Sequence, residues 1–146
     1  MISTVTNQGK VQFMIYFENM NANKLIEFLK QLIKPNDKKT LLVIDNLRVR
    51  YCHIAKKWPS QEEIKQKLEV FWLPSYSPEL NPDEYLNCDL KRELSEKPAP
   101  KDVKKLQQHV EEHMNMLQQN PMRVAKYFKH KDIRWCCIIA DIQKYR

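Results

Sequence analysis

The chain has 146 residues, of which 42% are hydrophobic and 10% aromatic, so the sequence predicts one folded domain and excludes a chain disordered throughout. Its single glycine argues against the glycine-rich phosphate loops of P-loop and dinucleotide-binding proteins. The net charge of +7 lies almost wholly in residues 91–146, which hold 13 basic and 7 acidic side chains. Such a region favours a polyanionic partner, and a solvated basic surface is the other interpretation.

The first predicted elements are a hairpin and a helix. Residues 2–6 and 11–17 are rich in β-branched and aromatic side chains, and the turn-forming sequence NQGK lies between them, which predicts an antiparallel hairpin. Apolar residues then recur at helical spacing over 22–33, with Asn19 or Asn21 as the capping residue. We therefore expect an amphipathic helix to follow the hairpin.

The middle of the chain predicts a strand–helix–strand unit. Residues 40–45 form an apolar run typical of a strand buried on both faces, and residues 68–73 form a second short apolar strand. Residues 48–58 and 61–67 between them are expected to be helical. This order favours parallel pairing of the two strands with a right-handed crossover.

The last half is predicted to be helical. Pro82, followed by two acidic residues, is a helix-start signal, and leucines at 86, 90 and 94 share one face. A long helix is expected over 101–119, with its apolar residues directed inward: Val103, Leu106, Val110, Met114 and Leu117. A final helical segment is expected from Asn120 to near His130.

The cysteines and the apolar runs bear on the compartment. The four cysteines, at 52, 88, 136 and 137, form no C-x-x-C pair, which excludes a zinc ribbon and favours reduced thiols. No signal peptide and no apolar run of about 20 residues is visible. We expect a cytoplasmic protein without a membrane partner.

Two carboxylates carry the chemical signal. Asp45 ends the first parallel strand, and Glu84 lies in the first turn of a helix. Ligands gather at the carboxyl ends of strands in open α/β sheets, and carboxylate oxygens are the ligands that Mg²⁺ prefers. The simpler interpretations are that Asp45 begins a turn and that Glu84, or equally Asp83, complements the helix dipole.

The sequence HVEEH at 109–113 offers a rival site. It matches the H-x-x-E-H pattern of inverted zinc peptidases, in which two histidines four residues apart share a helix face. No glutamate follows Glu112 to provide a third ligand, and only Asp132 and Asp141 remain downstream. A zinc metallopeptidase using His109, Glu112 and His113 is therefore a remote alternative.

The segment LPSYSPELNPDE at 73–84, with VIDN at 43–46, resembles the catalytic domain of bacterial insertion-sequence transposases related to mariner elements. Weaker similarity extends to VTNQGKVQFMIY, NANKLIEFLKQLIK and YFKHKDIRW, so that the resemblance covers about residues 1–137. These transposases belong to the DDE superfamily, whose catalytic domain has a ribonuclease H-like fold.

The resemblance implies a fold class and a function. The fold would be α/β, an incomplete ribonuclease H-like domain over 1–137, with an antiparallel hairpin, parallel strands, flanking helices and a helical C-terminal part, and residues 138–146 would form a tail. Asp45 would be the second catalytic aspartate and Glu84 the final catalytic carboxylate, because the motif ends N-P-x-E. Intact relatives bind two Mg²⁺ or Mn²⁺ ions and catalyse DNA cleavage and strand transfer at transposon ends, as homo-oligomers.

Five further residues are candidates for DNA contact. Tyr76, Ser77 and Asn81 lie in the loop before Glu84, and Lys91 and Arg92 lie two helical turns after it. Lys91 follows Glu84 by seven residues and so shares its helix face. The alternatives are that the loop residues only set loop geometry and that the two cations belong to a solvated helix face.

The chain departs from the family pattern in two places. The family's first catalytic aspartate lies on a strand ahead of the hairpin, and no acidic residue precedes Glu18; Leu47 stands where relatives often have histidine. No upstream helix-turn-helix is present. We therefore expect a C-terminal transposase fragment that is inactive alone and needs an N-terminal fragment. The alternative is a non-enzymatic remnant that binds DNA or a transposase subunit.

Overall fold

The computed structural model describes residues 1–19, 21–35, 38–44, 57–74 and 77–133. Its contacts divide the chain into a terminal unit, Met1–Ile15 with Glu79–Arg146, and a middle unit, Tyr16–Pro78. In chain order the described elements are β1 (Ile2–Val5), β2 (Val11–Met14), α1 (Ala22–Ile33), β3 (Thr40–Ile44), α2 (Glu62–Lys65), β4 (Leu68–Trp72), α3 (Pro82–Glu96), α4 (Val103–Gln118) and α5 (Pro121–Ala125), with 3₁₀ turns at Pro78–Leu80, Lys126–Lys129 and Lys131–Ile133. The predicted mixed α/β class is confirmed.

The predicted hairpin forms in the terminal unit. β1 pairs antiparallel with β2, with Ile2 opposite Met14 and Val5 opposite Val11. The turn between them depends on Gly9, which has a φ of 85°, a conformation that side chains with a Cβ rarely adopt. Gly9 is also buried against the backbone of Pro121, whose carbonyl oxygen would lie 1.9 Å from an added Cβ. The only glycine of the chain therefore lets α5 begin directly against the hairpin.

The hairpin, α3, α4 and α5 share one hydrophobic core. Its buried members come from four different elements: Val11, Leu86, Met114, Leu117 and Val124. Four of these are fully buried, and Val11 is 5% exposed. Burial of an aliphatic side chain stabilises a fold by about 1.5–3 kcal/mol, so this cluster is the main apolar contribution to the terminal unit.

The middle unit contains α1 and a parallel strand pair. The amide of Lys24 donates to Asn21 Oδ1 at 3.0 Å, which confirms Asn21 as the cap of α1. β3 pairs in parallel with β4 from Thr40 opposite Leu68 to Ile44 opposite Trp72, as the sequence predicts. The amide of Leu73 then donates to the carbonyl of Ile44 at 2.9 Å, so the ladder continues to the carboxyl end of β3.

Two predictions about burial are wrong. The first parallel strand is predicted to be buried on both faces, but Val43 is 36% exposed, and Phe71 of β4 is 39% exposed. Val43 and Phe71 lie opposite each other in the ladder, so the exposed side chains share one face of the strand pair. Val103 and Leu106 were expected inward, yet they are 63% and 40% exposed, because the first turns of α4 lie beyond its contacts with the core.

Other predictions fall partly outside the described residues. The helix expected over 48–58 is one of them, and the tail expected over 138–146 lies wholly outside. α2 occupies part of the helical segment expected over 61–67. None of the described helices has both the length and the apolarity that a membrane span requires.

A buried carboxylate joins α3 to α5. Asp89 is 7% exposed and accepts two hydrogen bonds from Arg123, at 2.8 Å from Nη2 and 3.0 Å from Nε. Tyr127 donates its hydroxyl to Asp89 at 2.6 Å, and Arg92 donates Nη2 at 2.6 Å. Four donors thus replace the water that Asp89 loses on burial, which is the condition for keeping a carboxylate in a protein interior.

The same contacts shift the ionisation of the network. Burial acts to raise the pKa of Asp89, but the hydrogen bonds from Arg123 and Tyr127 and the Arg123 charge outweigh it and lower the pKa. The bond to Asp89 raises the pKa of Arg123, and burial together with Asp89 raises the pKa of the Tyr127 phenol. The fold therefore favours the charged carboxylate beside the charged guanidinium.

The Gly9→Ala variant is expected to lose about 2 kcal/mol or more of unfolding free energy, because its new Cβ meets the Pro121 carbonyl and its φ becomes strained. Urea unfolding followed by far-UV circular dichroism measures this loss. Gln8→Ala, an exposed change in the same turn, is the control and should stay within about 0.5 kcal/mol of wild type. Equal midpoints for the two variants would contradict the close approach at Gly9.

The Asp89→Asn variant is expected to lose about 2 kcal/mol at pH 7, because a buried carboxylate loses its charge-assisted hydrogen bonds from Arg123 and Tyr127. The pKa of Asp89 is lower in the folded chain, so its stabilisation is present above the unfolded pKa of about 3.9 and disappears as the pH falls through the folded value. Urea unfolding from pH 7 down to about pH 2 should therefore show the gap between the two proteins narrowing below about pH 4. Glu96→Gln, on the same helix but exposed, should parallel wild type; a gap between Asp89→Asn and wild type that does not depend on pH would refute this account.

Candidate active site at the start of α3

The first turn of α3 is built as the sequence predicts. Asn81 caps the helix, with its Oδ1 accepting from the amide of Asp83 at 3.0 Å, and Pro82 takes the first helical position, where its missing amide proton is not needed. Asp83, Glu84 and Tyr85 follow, and each of the three has a different environment. These environments determine which of the three side chains are hydrogen-bonded to other parts of the fold.

Asp83 is held by the hairpin. The hydroxyl of Ser3 on β1 donates to both of its carboxylate oxygens, at 2.9 and 3.1 Å. Burial raises the pKa of Asp83 to about 6, the bond from Ser3 opposes the rise, and the neighbouring Glu84 charge adds to it. Asp83 is thus a carboxylate already engaged by the fold.

Glu84 is half-buried, and its carboxylate makes no hydrogen bond or ion pair within the described ranges. Its backbone amide donates to the carbonyl of Asn81 at 3.1 Å, which fixes the main chain of the turn. An unengaged carboxylate on a fixed backbone is the kind of oxygen donor that a hard cation accepts. Within the described ranges, Glu84 is therefore the less engaged of the two adjacent acids.

Tyr85 contacts His130 on the other side of the turn. Its hydroxyl lies 2.8 Å from Nδ1 of His130, and the two rings stack with centroids 4.7 Å apart. The same nitrogen is 3.2 Å from a carboxylate oxygen of Asp132. Burial raises the pKa of Tyr85, and the acidic groups of Asp132, Cys88 and Glu79 add to the rise.

The structure places the remaining candidates differently. Asp45 and Tyr76 lie outside the described residues. Ser77 is half-buried just before the 3₁₀ turn, and Lys91 is exposed on α3. Arg92 is exposed but bound to Asp89. Asn81 has the geometric role that the sequence left open, as the cap of α3, so its side-chain oxygen is occupied.

The rival H-x-x-E-H sequence lies within α4, with His113 in the core. His113 is 3% exposed, and neither of its ring nitrogens has a hydrogen-bond partner within the described ranges. Burial lowers its pKa, while the charges of Asp89 and Glu93 act in the opposite direction. No group of three histidine, cysteine or acidic side chains converges on a metal position in the part of the chain that the structure describes.

Three residues with contacts on α3 could not be identified from the sequence. Ser3, Asp89 and His130 were not candidates, since each belongs to a pair separated by 34 or more residues. Only one local signal existed: an aspartate in the middle of an otherwise apolar face of α3 requires polar partners when it is buried. Arg123 and Tyr127, four residues apart, are such partners.

Comparison with known proteins identifies the family. The family model described as DDE superfamily endonuclease matches residues 1–107, which include β1 to β4, α3 and both candidate carboxylates. Searches of curated proteins and of solved structures returned no match. Endonucleases of this superfamily generally depend on a divalent metal ion, and their catalytic domains are ribonuclease H-like. The match covers well over half of the chain, which therefore belongs to the DDE superfamily endonucleases.

Proposed function

We propose that this chain is the C-terminal portion of a transposase catalytic domain, related to the mariner-type insertion-sequence enzymes. The intact enzyme would cleave DNA strands at transposon ends and transfer them to target DNA. The observation that carries the proposal is the unengaged carboxylate of Glu84 on the capped first turn of α3, in a chain that belongs to an endonuclease family. Localisation in the cytoplasm and assembly as a homo-oligomer are part of the same proposal.

In this proposal Asp45 and Glu84 bind Mg²⁺ or Mn²⁺. Glu84 fits such an ion because its oxygens are hard donors without a competing partner in the described part of the chain. A pair of bound ions would activate the attacking hydroxyl and stabilise the leaving oxygen of the phosphodiester. Asp83 is not proposed as a ligand, since the matching motif ends at Glu84 and the Ser3 hydroxyl already donates to the Asp83 carboxylate.

The proposal needs a third carboxylate. The 146 residues contain no acidic side chain ahead of Glu18, so the hairpin supplies none. We propose that a further strand carries the first catalytic aspartate, contributed by additional residues of the same polypeptide or by a second chain. The 146 residues alone would then lack cleavage activity while retaining metal and DNA binding.

The residues proposed to contact DNA are Tyr76, Ser77, Asn81, Lys91 and Arg92. Lys91 is the best placed of these, because it is exposed, has no ion-pair partner within the described ranges and lies seven residues after Glu84 on the same helix. Arg92 can meet a phosphate only with the guanidinium edge that Asp89 leaves free. Because Oδ1 of Asn81 caps α3, Asn81 would contact DNA only through its backbone or its side-chain NH₂ group.

Cleavage tests the proposed function. The chain is combined with a segment carrying an acidic first strand, and Mg²⁺-dependent nicking of terminal-repeat DNA is measured. Glu84→Gln and Asp45→Asn should each lower the rate by at least about a hundredfold, because each removes a metal ligand. Glu79→Gln, an exposed acid-to-amide change five residues before Glu84, is the matched control. Full activity in Glu84→Gln would defeat the proposal, whereas DNA binding without cleavage in any combination would favour the non-enzymatic remnant.

Salt dependence tests the role of Lys91. Binding of duplex DNA is measured from 50 to 200 mM salt, and Lys91→Ala should reduce the slope of log K against log salt by about 0.9, the value for one lost phosphate contact. Lys65→Ala is the control, because Lys65 is engaged at 2.9 Å by Glu62. A slope unchanged by Lys91→Ala would assign this lysine to a solvated helix face.

A further inference from the structure

The residues on either side of Glu84, Asp83 and Tyr85, each form a hydrogen bond with a residue of the terminal unit that is distant in sequence. We propose that the Ser3–Asp83 bond and the Tyr85–His130–Asp132 cluster are positioning contacts that hold the Glu84 carboxylate in place for its metal ion. The proposal rests on the proposed function and extends it, since none of these five residues is a ligand in it. The contacts act by restraining the backbone of the first turn of α3.

The geometry of a helix makes the arrangement effective. Successive residues are rotated by about 100° around the axis, so Asp83 and Tyr85 project to either side of Glu84. One neighbour is tied to β1, 80 residues away along the chain, and the other to His130, 45 residues away. The ends of helices fray readily, and two ties on opposite sides of one turn oppose that motion.

The Tyr85 side of the arrangement is a cluster rather than a single bond. The Tyr85 hydroxyl and a carboxylate oxygen of Asp132 both approach Nδ1 of His130, at 2.8 and 3.2 Å, and the Tyr85 ring stacks on the imidazole. His130 and Asp132 belong to the segment that follows Tyr127 and ends in the buried Ile133. His130 and Asp132, which contact Tyr85, are therefore attached to the core through Ile133.

Contacts of this kind are expected to change the affinity for a metal ion. A binding site must be held within about 0.5 Å of its working geometry, and outer groups that support ligands contribute about 10–100-fold to metal affinity. The Glu84 side chain has no partner of its own in the described residues, so only its backbone can be held before the ion binds. Loosening either tie should therefore weaken metal binding without removing any ligand.

The experiment measures Mn²⁺ binding to the 146-residue chain by the electron paramagnetic resonance signal of the free ion. Tyr85→Phe keeps the ring but removes the hydroxyl, and it should raise the Kd about tenfold. Ser3→Ala should raise it similarly. The matched control for the first variant is Tyr127→Phe, which also loses one hydroxyl bond, at 2.6 Å to Asp89, but away from the turn. The control for the second is Ser95→Ala, whose hydroxyl donates to the Arg92 carbonyl near the end of α3.

The outcomes separate a positioning role from a general structural one. Tyr127→Phe should lower the melting temperature while leaving the Mn²⁺ affinity at the wild-type value. Equal losses of affinity in Tyr85→Phe and Tyr127→Phe would overturn the positioning role, as would unchanged affinity in both Tyr85→Phe and Ser3→Ala. Glu84→Gln is measured in parallel: if it leaves Mn²⁺ binding unchanged, the proposed function itself fails, whereas an affinity that only Glu84→Gln lowers refutes the positioning contacts alone.

Discussion

A carboxylate can stay buried only when hydrogen-bond donors replace its water, and this requirement at Asp89 organises the terminal unit. The donors come from three places, the next turn of α3, α5 and the 3₁₀ turn that follows α5. Arg123 and Tyr127 flank Val124, which is fully buried in the core, so the polar and apolar contacts require the same placement of α5.

Three of the five acidic side chains on α3 have different roles because their surroundings differ. Asp89 is buried, fully hydrogen-bonded and held in its charged form; Asp83 is bound by one hydroxyl and has a raised pKa; Glu84 is left without a partner in the described part of the chain. A carboxylate that the fold does not use costs little to leave half in water, and it is the one that can exchange that water for a cation. The fold thus separates structural acids from the candidate catalytic one on a single helix.

Sequence reasoning recovered the parts of this arrangement that depend on local chemistry. The hairpin turn at Gly9 and the Asn21 and Asn81 caps follow from neighbouring residues. The parallel pairing of β3 and β4 follows from the strand–helix–strand order. The error at Val103 arose because helical periodicity shows which residues share a face but not how far along the helix a neighbour extends. The contacts of Ser3, His130 and Arg123 depend on the packed fold, and the place of Asp45 beside Glu84 stays a prediction.

The fold also shows which of the basic side chains are already paired with an acid. Arg92 and Arg123 contribute to the excess of basic residues after position 90, but both are committed to Asp89. Lys91 has no ion-pair partner in the described part of the chain, and it lies about 10 Å further along the α3 axis than Glu84. The Cα–Cβ bonds of a helix tilt towards its N-terminus, that is, from Lys91 towards Glu84. A DNA strand whose reacting phosphate met a cation at Glu84 would thus present a neighbouring phosphate, rather than the reacting one, to Lys91.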